Sequence, residues 1–477
     1  MRTYPLYLNG AFVQSEPAWD VVNPANEEPF ARISTIDRAG LAQAITDAHA
    51  AFPGWRGLTA KARGEYLLRI AAEVERRREE VAHLLSSENG KPLAQSLAEV
   101  AMSVDHLQWF AEEGRRAYGR IIPPQAEEKR NLVVKTPIGV VGAISPWNFP
   151  LVLAVRKVAP ALAAGCPVVL KPARQTPLSC IAFAECAQTA QLPKGVLQVV
   201  CGPSDQFGEE FLSHPLCRKV TFTGSTEVGQ VLIRHAAGTV KPLSLELGGD
   251  APLLVFEDAD LKGAVDGALL AKMRNTGQSC IAANRLFVQR PVYDRFLEAF
   301  AARVKSLKVG EFSEPGVEIG PLIDAAALRH ALALVQDAAS RGARVLCGGR
   351  RLERKGFFFE PTVMADVTAD ALCRREEIFA PLAPVSPFDT EEEAIQLAND
   401  TAHGLSAYAF TRDIGRLFRL AEHLEAGMIG LNDGLPTTSN APFGGVKQSG
   451  WGRELGCEGL EAFLETKHIS IRINNLC

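Results

Sequence analysis

Several signatures that would settle a function at once are missing from this chain. It has no C-x-x-C pair, no H-E-x-x-H and no cluster of histidines, so no metal site built on adjacent ligands is expected. It also lacks G-x-G-x-x-G, the usual dinucleotide fingerprint. No apolar run reaches membrane-spanning length, because the stretch 140–170 is interrupted by Arg156, Lys157 and prolines. Charge of one sign is not in excess: 51 basic against 55 acidic residues give a formal charge of −4, which leaves no polycation to grip nucleic acid. The basic clusters 76–78 and 115–116 read as solvated helix faces. Ten cysteines lie scattered without paired spacing, which argues against a disulfide framework and for a reducing cytosol. The opening M-R-T-Y-P-L-Y-L-N-G lacks the apolar core of a signal peptide, so a cytoplasmic protein is expected. No repeat or low-complexity segment stands out.

What is present is ordinary globular composition, 47% hydrophobic and 22% charged, over 477 residues, enough for two or three domains. The first thirty-odd residues suggest short strands with turns at Asn9–Gly10 and Asn23–Pro24. Amphipathic helices are predicted over 37–52, 59–89 and 96–118, the second ending at Asn89–Gly90 with Pro92 beyond. Residues 119–135 suit an extended arm. From residue 138 strand, turn and helix alternate, with strands at 138–144, 168–171, 196–200 and 220–223, a helix at 151–164, and a second such region from about 250. That alternation predicts an α/β fold with right-handed crossovers and a mostly parallel sheet. The alternating K-H-I-S-I-R-I-N, 467–474, is a strand suited to pairing across subunits.

Three segments carry chemistry. N-T-G-Q-S-C-I-A-A-N-R, 275–285, sets Cys280 in a glycine- and amide-rich turn before a predicted strand at 285–289. A cysteine attacks carbonyl carbon only as thiolate, so it needs polar surroundings and some solvent access, and crowded backbone N–H groups can hold the resulting oxyanion. A buried, inert cysteine is the alternative. L-E-L-G-G-D-A-P, 245–252, places Glu246 before a glycine pair, 34 positions ahead of Cys280. I-S-P-W-N-F-P, 144–150, brackets Asn148 with two prolines on a stiff loop.

Together with F-T-G-S-T-E-V-G (222–229), E-E-I-F-A-P (376–381) and P-F-G-G-V-K-Q-S-G (442–450), these segments resemble the aldehyde dehydrogenase superfamily over nearly the whole chain. The resemblance implies an aldehyde dehydrogenase-like fold: a Rossmann-type NAD(P)-binding domain (1–118 and 138–247), an α/β catalytic domain (248–440), and a β oligomerisation arm with a C-terminal tail (119–137 and 441–477). A homodimer or homotetramer follows from it. It casts Cys280 as nucleophile, Glu246 as general base for the deacylating water, and Asn148 with the Cys280 N–H as oxyanion donors. Acyl transfer to coenzyme A generally goes with loss of that glutamate, so hydrolysis to a free acid is expected. Cofactor contacts fall on Ile144, Ser145, Pro146, Trp147, Lys171, Arg174, Gly224, Ser225, Gly229, Leu247, Glu377 and Phe379. Free N–H groups at the helix start after Gly224 and Ser225 suit a pyrophosphate. Ala380 stands where the family usually has glycine. Where NAD-preferring relatives often carry glutamate, this chain has Arg174, which with Lys171 could flank a 2′-phosphate, so NADP is expected over NAD.

For the aldehyde, Arg156, Arg274 and the loop G-L-P-T-T-S-N-A-P-F-G-G resemble succinate-semialdehyde dehydrogenases. In that subfamily two arginines and a loop hydroxyl hold a distal carboxylate. The hydroxyl maps to Thr438, with Thr437 and Ser439 as neighbours in play. Glutarate semialdehyde, another ω-carboxylated aldehyde, an uncharged aldehyde, or a catalytically idle structural role are the alternatives.

Overall fold

The computed structural model describes residues 1–473, which form an eight-stranded sheet, a seven-stranded sheet, two three-stranded sheets and a two-stranded pairing, with helices packed between and around them. The first sheet runs Gly450–Trp451, Leu243–Glu246, Cys217–Thr223, Val140–Ile144, Val168–Lys171, Leu197–Val199, Leu6–Leu8, Ala11–Val13. Its five central strands are parallel, and antiparallel strands close each edge. V-V-G-A-I and V-V-L-K are buried on both faces, which is why they appear in sequence as continuous apolar runs rather than alternating ones. The order reverses between Val140–Ile144 and Cys217–Thr223. Chain leaving those two strands opens a crevice, the position where nucleotides bind in such sheets.

The second sheet runs Arg344–Cys347, Thr362–Ala365, Leu382–Phe388, Ala283–Gln289, Ala251–Val255, Ser406–Phe410, Met428–Leu431, parallel except at its first strand. Only Leu247–Asp250 separates the last parallel strand of one sheet from the first strand of the other. The tail crosses back, since Gly450 pairs with Glu246 and Trp451 with Leu245.

The helix Pro150–Ala164 is buried along its whole length, consistent with its all-round apolar sequence; Pro150 starts it and Gly165, at φ 101°, ends it. The single helix expected over 59–89 is two, Ala60–Arg76 and Arg78–Asn89. Arg77 leaves helical geometry at φ −100°, ψ 16°, and its guanidinium bridges Glu80 to Glu185 on a neighbouring helix. Periodicity persists through such a kink, so it left no mark in the sequence.

The expected arm is a hairpin, Arg120–Ile122 with Lys129–Pro137, joined by Leu464–Arg472 along its full length. That last strand therefore pairs first within its own chain, and its other edge has no partner strand among the described residues. Asn474 of the predicted strand lies outside the described residues.

Candidate active site

Cys280 lies in the turn between the helix Leu261–Met273 and the strand Ala283–Gln289. The turn is strained: Asn275 and Thr276 take φ of 52° and 58°, and Gly277 follows at 71°. Its conformation is fixed by side chains rather than by helix or sheet. Gln95 accepts from Asn275 N at 2.7 Å, Gln278 Oε1 accepts from Ile323 N at 2.9 Å, and Thr276 Oγ1 accepts from Gly320 N at 3.0 Å. The half-buried thiol is pushed up to about 12 by desolvation, then by the carboxylates of Glu377 and Glu246, against the opposing pull of Arg156. From the sequence, polar surroundings and some solvent access are expected; here burial dominates, with nearby carboxyls and one arginine pulling in opposite directions.

Asn148 is buried on the loop after Val140–Ile144. One hydrogen of its side-chain amide goes to Gln278 O at 3.2 Å, which leaves the other for an oxyanion. The same amide lines a groove with Cys280.

Glu246 ends its strand fully buried, and its Oε2 has no partner. Burial raises its carboxyl well above the ordinary range; the Glu454 charge adds to this, and Lys157 and Arg156 oppose it. Lys157 Nζ holds Glu454 Oε1 at 2.6 Å and Thr223 Oγ1 at 2.6 Å. Gly444 passes so close to Glu246 Oε1 that a Cβ there would stand 2.8 Å away.

The groove of about 210 Å³ at the crevice is lined by Pro146, Trp147, Asn148, Gly224, Ser225, Leu247, Gly248, Cys280, Glu377 and Phe379, among others. Its residues fit a dinucleotide. A Cβ on Gly248 would come within 3.1 Å of Glu377 Oε2, so the floor there is bare backbone, and a Cβ on Gly229 would press into Leu247. Ser225 caps the helix Thr226–Ala236 by accepting from Val228 N, while the N–H groups of Thr226 and Glu227 remain for an anion. Glu377, pushed up to about 7 by burial despite the Gly249 N–H it accepts at 3.1 Å, faces this floor. Phe379 stands edge-on to Trp147 with ring centres 5.5 Å apart. Ala380 sits behind it with its carbonyl against Gly277. Lys171 is buried, its ammonium donates to Pro172 O at 3.5 Å, and burial lowers its pKa. Ser145 donates its N–H to Lys171 O, and Ile144 packs into the core beneath. Arg174 is exposed, its guanidinium 4.8 Å over the Trp19 ring.

On the other side of Cys280 lies a cavity of about 40 Å³ lined by Met102, Phe149, Val152, Leu153, Arg156, Arg274, Ile281, Leu435, Thr437 and Phe443, among others. Both arginines enter this apolar space without a carboxylate. Arg156 is buried 4.4 Å over Phe443 with Nε unpartnered; Arg274 lies 4.8 Å over Phe149, its Nη2 near the Met102 sulfur. Among the described residues neither arginine forms an ion pair. Thr437 Oγ1 is buried there without a partner. Thr438, the expected hydroxyl, is instead exposed and donates to Asn440 Oδ1 at 2.8 Å, because the loop turns its side chain outward.

Sequence reasoning missed Asn89, Lys91, Glu99, Lys157 and Glu454. Each is a charged or amide residue within an unremarkable helix or loop stretch, brought to the site only by tertiary packing. In the sequence Lys157 figures only as a charge that breaks the apolar stretch 140–170, and Asn89 only as a helix end.

The sequence profile of the Aldehyde dehydrogenase family matches residues 12–469. The chain is 48% identical to a 3-sulfolactaldehyde dehydrogenase of Pseudomonas putida, covering 98% of this chain and 96% of the relative. It is 47% identical to a glutarate-semialdehyde dehydrogenase of Pseudomonas aeruginosa (98% and 97% covered) and 47% identical to an NADP(+) succinate-semialdehyde dehydrogenase of Escherichia coli (97% and 97%). The succinate-semialdehyde dehydrogenase structure from Burkholderia pseudomallei superposes with a TM-score of 0.97 at 46% identity, covering 98% of each chain. An NAD+ complex of a Bacillus cereus aldehyde dehydrogenase superposes equally well, TM-score 0.97, at 37% identity over 99% of this chain and 97% of that one.

Proposed function

The chain belongs to the aldehyde dehydrogenase family, and from that premise we propose that it oxidises an ω-carboxylated aldehyde, succinate semialdehyde foremost, to the acid. It is an NAD(P)-dependent aldehyde dehydrogenase. The observation carrying the substrate reading is the pair Arg156 and Arg274, two guanidiniums with no ion-pair partner among the described residues, lining a largely apolar cavity beside Cys280. A guanidinium left so is costly unless an anion completes it, and its planar fork matches a carboxylate. Thr437, rather than Thr438, supplies the hydroxyl.

The Cys280 sulfur attacks the aldehyde carbon, and its proton leaves to a neighbouring carboxylate or water. The oxyanion of the thiohemiacetal is held by the Asn148 amide and the Cys280 N–H. Lys171, Ser225, Leu247, Glu377 and Phe379 would hold oxidised NAD(P), which would supply the acceptor for the hydride lost from the thiohemiacetal carbon as the thioester forms. Glu246 then takes a proton from the water that hydrolyses the thioester on Cys280, releasing acid and thiol.

The exposed Arg174 beside the buried Lys171 supports use of NADP, preferred over NAD. The bared edge of Leu464–Arg472, with Ile469 and Ile471 exposed, supports pairing with a second copy as a homodimer or homotetramer. All nine cysteines among the described residues are free, which supports a reducing cytoplasm; no helix among them is long and apolar enough to cross a membrane.

One further substrate has a specific observation in its favour. Two unpaired arginines hold a sulfonate as well as a carboxylate, and a 48% identical relative is named for a sulfonated aldehyde. The deciding experiment measures kcat/KM for succinate semialdehyde, glutarate semialdehyde, 3-sulfolactaldehyde and butanal, each with NAD and with NADP. Butanal matching or exceeding every anionic aldehyde would overturn the carboxylate reading.

A further inference from the structure

The loop that presents Asn148 is held less by its own backbone than by one turn far away in sequence. Residues 88–91 read E-N-G-K at the end of the helix Arg78–Asn89. Lys91, fully buried, donates to Asn148 O at 2.7 Å and to Glu99 Oε2 at 2.6 Å. Glu99 Oε1 in turn accepts from Leu151 N at 3.0 Å and Val152 N at 3.2 Å, the free N–H groups of the helix that follows Asn148. Asn89 Nδ2 donates to Trp147 O at 2.9 Å, and Glu88 caps the next helix through Leu178 N and Ser179 N. Asn148 O receives a second donor, Asn275 Nδ2 at 2.8 Å, from the cysteine turn itself. A single carbonyl oxygen thus joins the nucleophile's turn to the oxyanion loop, and Lys91 fixes it.

Stability alone gives no reason for the pair. A buried ion pair gains little or nothing over an apolar pair of the same volume, whereas placement to fractions of an ångström governs how well an amide meets an oxyanion. Nor can the turn be replaced easily: Gly90 has φ 87°, and a Cβ there would strike Pro321 and Pro24.

We infer that Lys91, with Glu99 and Asn89, is a positioning device for the oxyanion amide. These residues hold the main chain of Trp147 and Asn148 so that the Asn148 side chain meets the developing charge, and none of them touches substrate. The inference rests on the acylation mechanism proposed above. It does not rest on the carboxylate reading, and butanal serves as the substrate so that the two fail separately.

The test follows the pre-steady-state burst of NAD(P)H in the full-length enzyme. Lys91→Met/Glu99→Gln keeps the helix-capping oxygen and removes both members of the ion pair together. Its burst rate should fall about 10- to 100-fold, less than or equal to the loss on removing an oxyanion donor, while KM and cofactor affinity stay within about threefold, as expected when an interaction made only in the transition state is lost. Asn89→Ala, which removes only the tether to Trp147 O, should show the same split with about a three- to tenfold fall. In an Asn148→Ala background the Lys91→Met/Glu99→Gln change should cost almost nothing more, because its route to the oxyanion is already gone. Wild-type burst rates in both folded variants, or an equal fall with and without Asn148, overturns the inference. A Cys280→Ala enzyme that still oxidises butanal at the wild-type rate overturns the acylation mechanism and this inference with it.

Discussion

Gly249 lies directly against the carbonyl oxygen of Cys280, with no space between them for a methyl group. The residue three places after the candidate base thereby sets how near the nucleophile's turn can approach. Its N–H also donates to Glu377, so one glycine touches both the cysteine turn and the cofactor groove. Gly249→Ala should lower kcat/KM by about 100-fold through displacement of Cys280, and destabilise the fold by about 1–3 kcal/mol. Steady-state kinetics with thermal unfolding check both; an alanine variant with native turnover would show that the turn has slack.

Cys280→Ala should abolish aldehyde oxidation while cofactor binding and the unfolding transition persist, because it removes the bond-making atom and little volume. Glu246→Gln should release one burst of reduced cofactor per active site and then stall at the thioester. Stopped-flow absorbance separates the cases: loss of the burst itself would place Glu246 before acylation.

The thiol pushed up to about 12 has a consequence for pH. A raised thiol pKa means that the thiolate fraction is small at neutrality and grows with each rise in pH. In the cofactor-free enzyme, the rate of Cys280 alkylation by iodoacetamide should therefore climb by up to about tenfold per pH unit between 7 and 10. A plateau near pH 8, as for an ordinary or activated cysteine, would contradict this.

Arg156→Leu and Arg274→Leu should each raise KM for succinate semialdehyde by something like tenfold to a hundredfold and leave butanal nearly unaffected, since a charge-assisted hydrogen bond contributes about 1.5–3 kcal/mol. Thr437→Val should weaken the anionic substrate more than Thr438→Val, whose hydroxyl is turned to Asn440. Equal losses on both aldehydes would exclude anion recognition by these groups.

Arg174→Glu should raise KM for NADP far more than for NAD. Among the described residues its guanidinium has no acid partner and rests on Trp19, so it can reach a phosphate without breaking an ion pair there. A wild type that strongly favours NAD, with neither constant altered by the exchange, would make Arg174 a surface charge.

Local pattern carried much of the fold into the sequence. The strands Val140–Ile144 and Val168–Lys171 and the helix Pro150–Ala164 are legible because burial on all sides forces unbroken apolar runs bounded by glycine and proline. The break at Arg77 is not legible, since a kink preserves the buried face while a side chain from another helix decides it. Within the site, Cys280, Glu246 and Asn148 stand out because each sits in a short string of turn-formers. Lys91 stands 57 residues from Asn148, and Glu454 nearly three hundred from Lys157, so only the folded chain reveals those pairs. The direction of a loop side chain is equally invisible: Thr437 and Thr438 are the same residue in sequence, and only the turn distinguishes inward from outward.

The cavity beside Cys280 brings two like charges together, and Arg156 is among the groups that oppose the charge on Arg274. The fold therefore carries an electrostatic load that an anion of the right length relieves, and any such anion bound only by the native state shifts the folding equilibrium toward it. Substrate selectivity becomes readable without turnover. A thermal-shift series of dicarboxylates and sulfonates, graded by chain length, should peak at the length that spans from Cys280 to the arginines, and the molecule's own melting temperature would then serve as the ruler for its substrate.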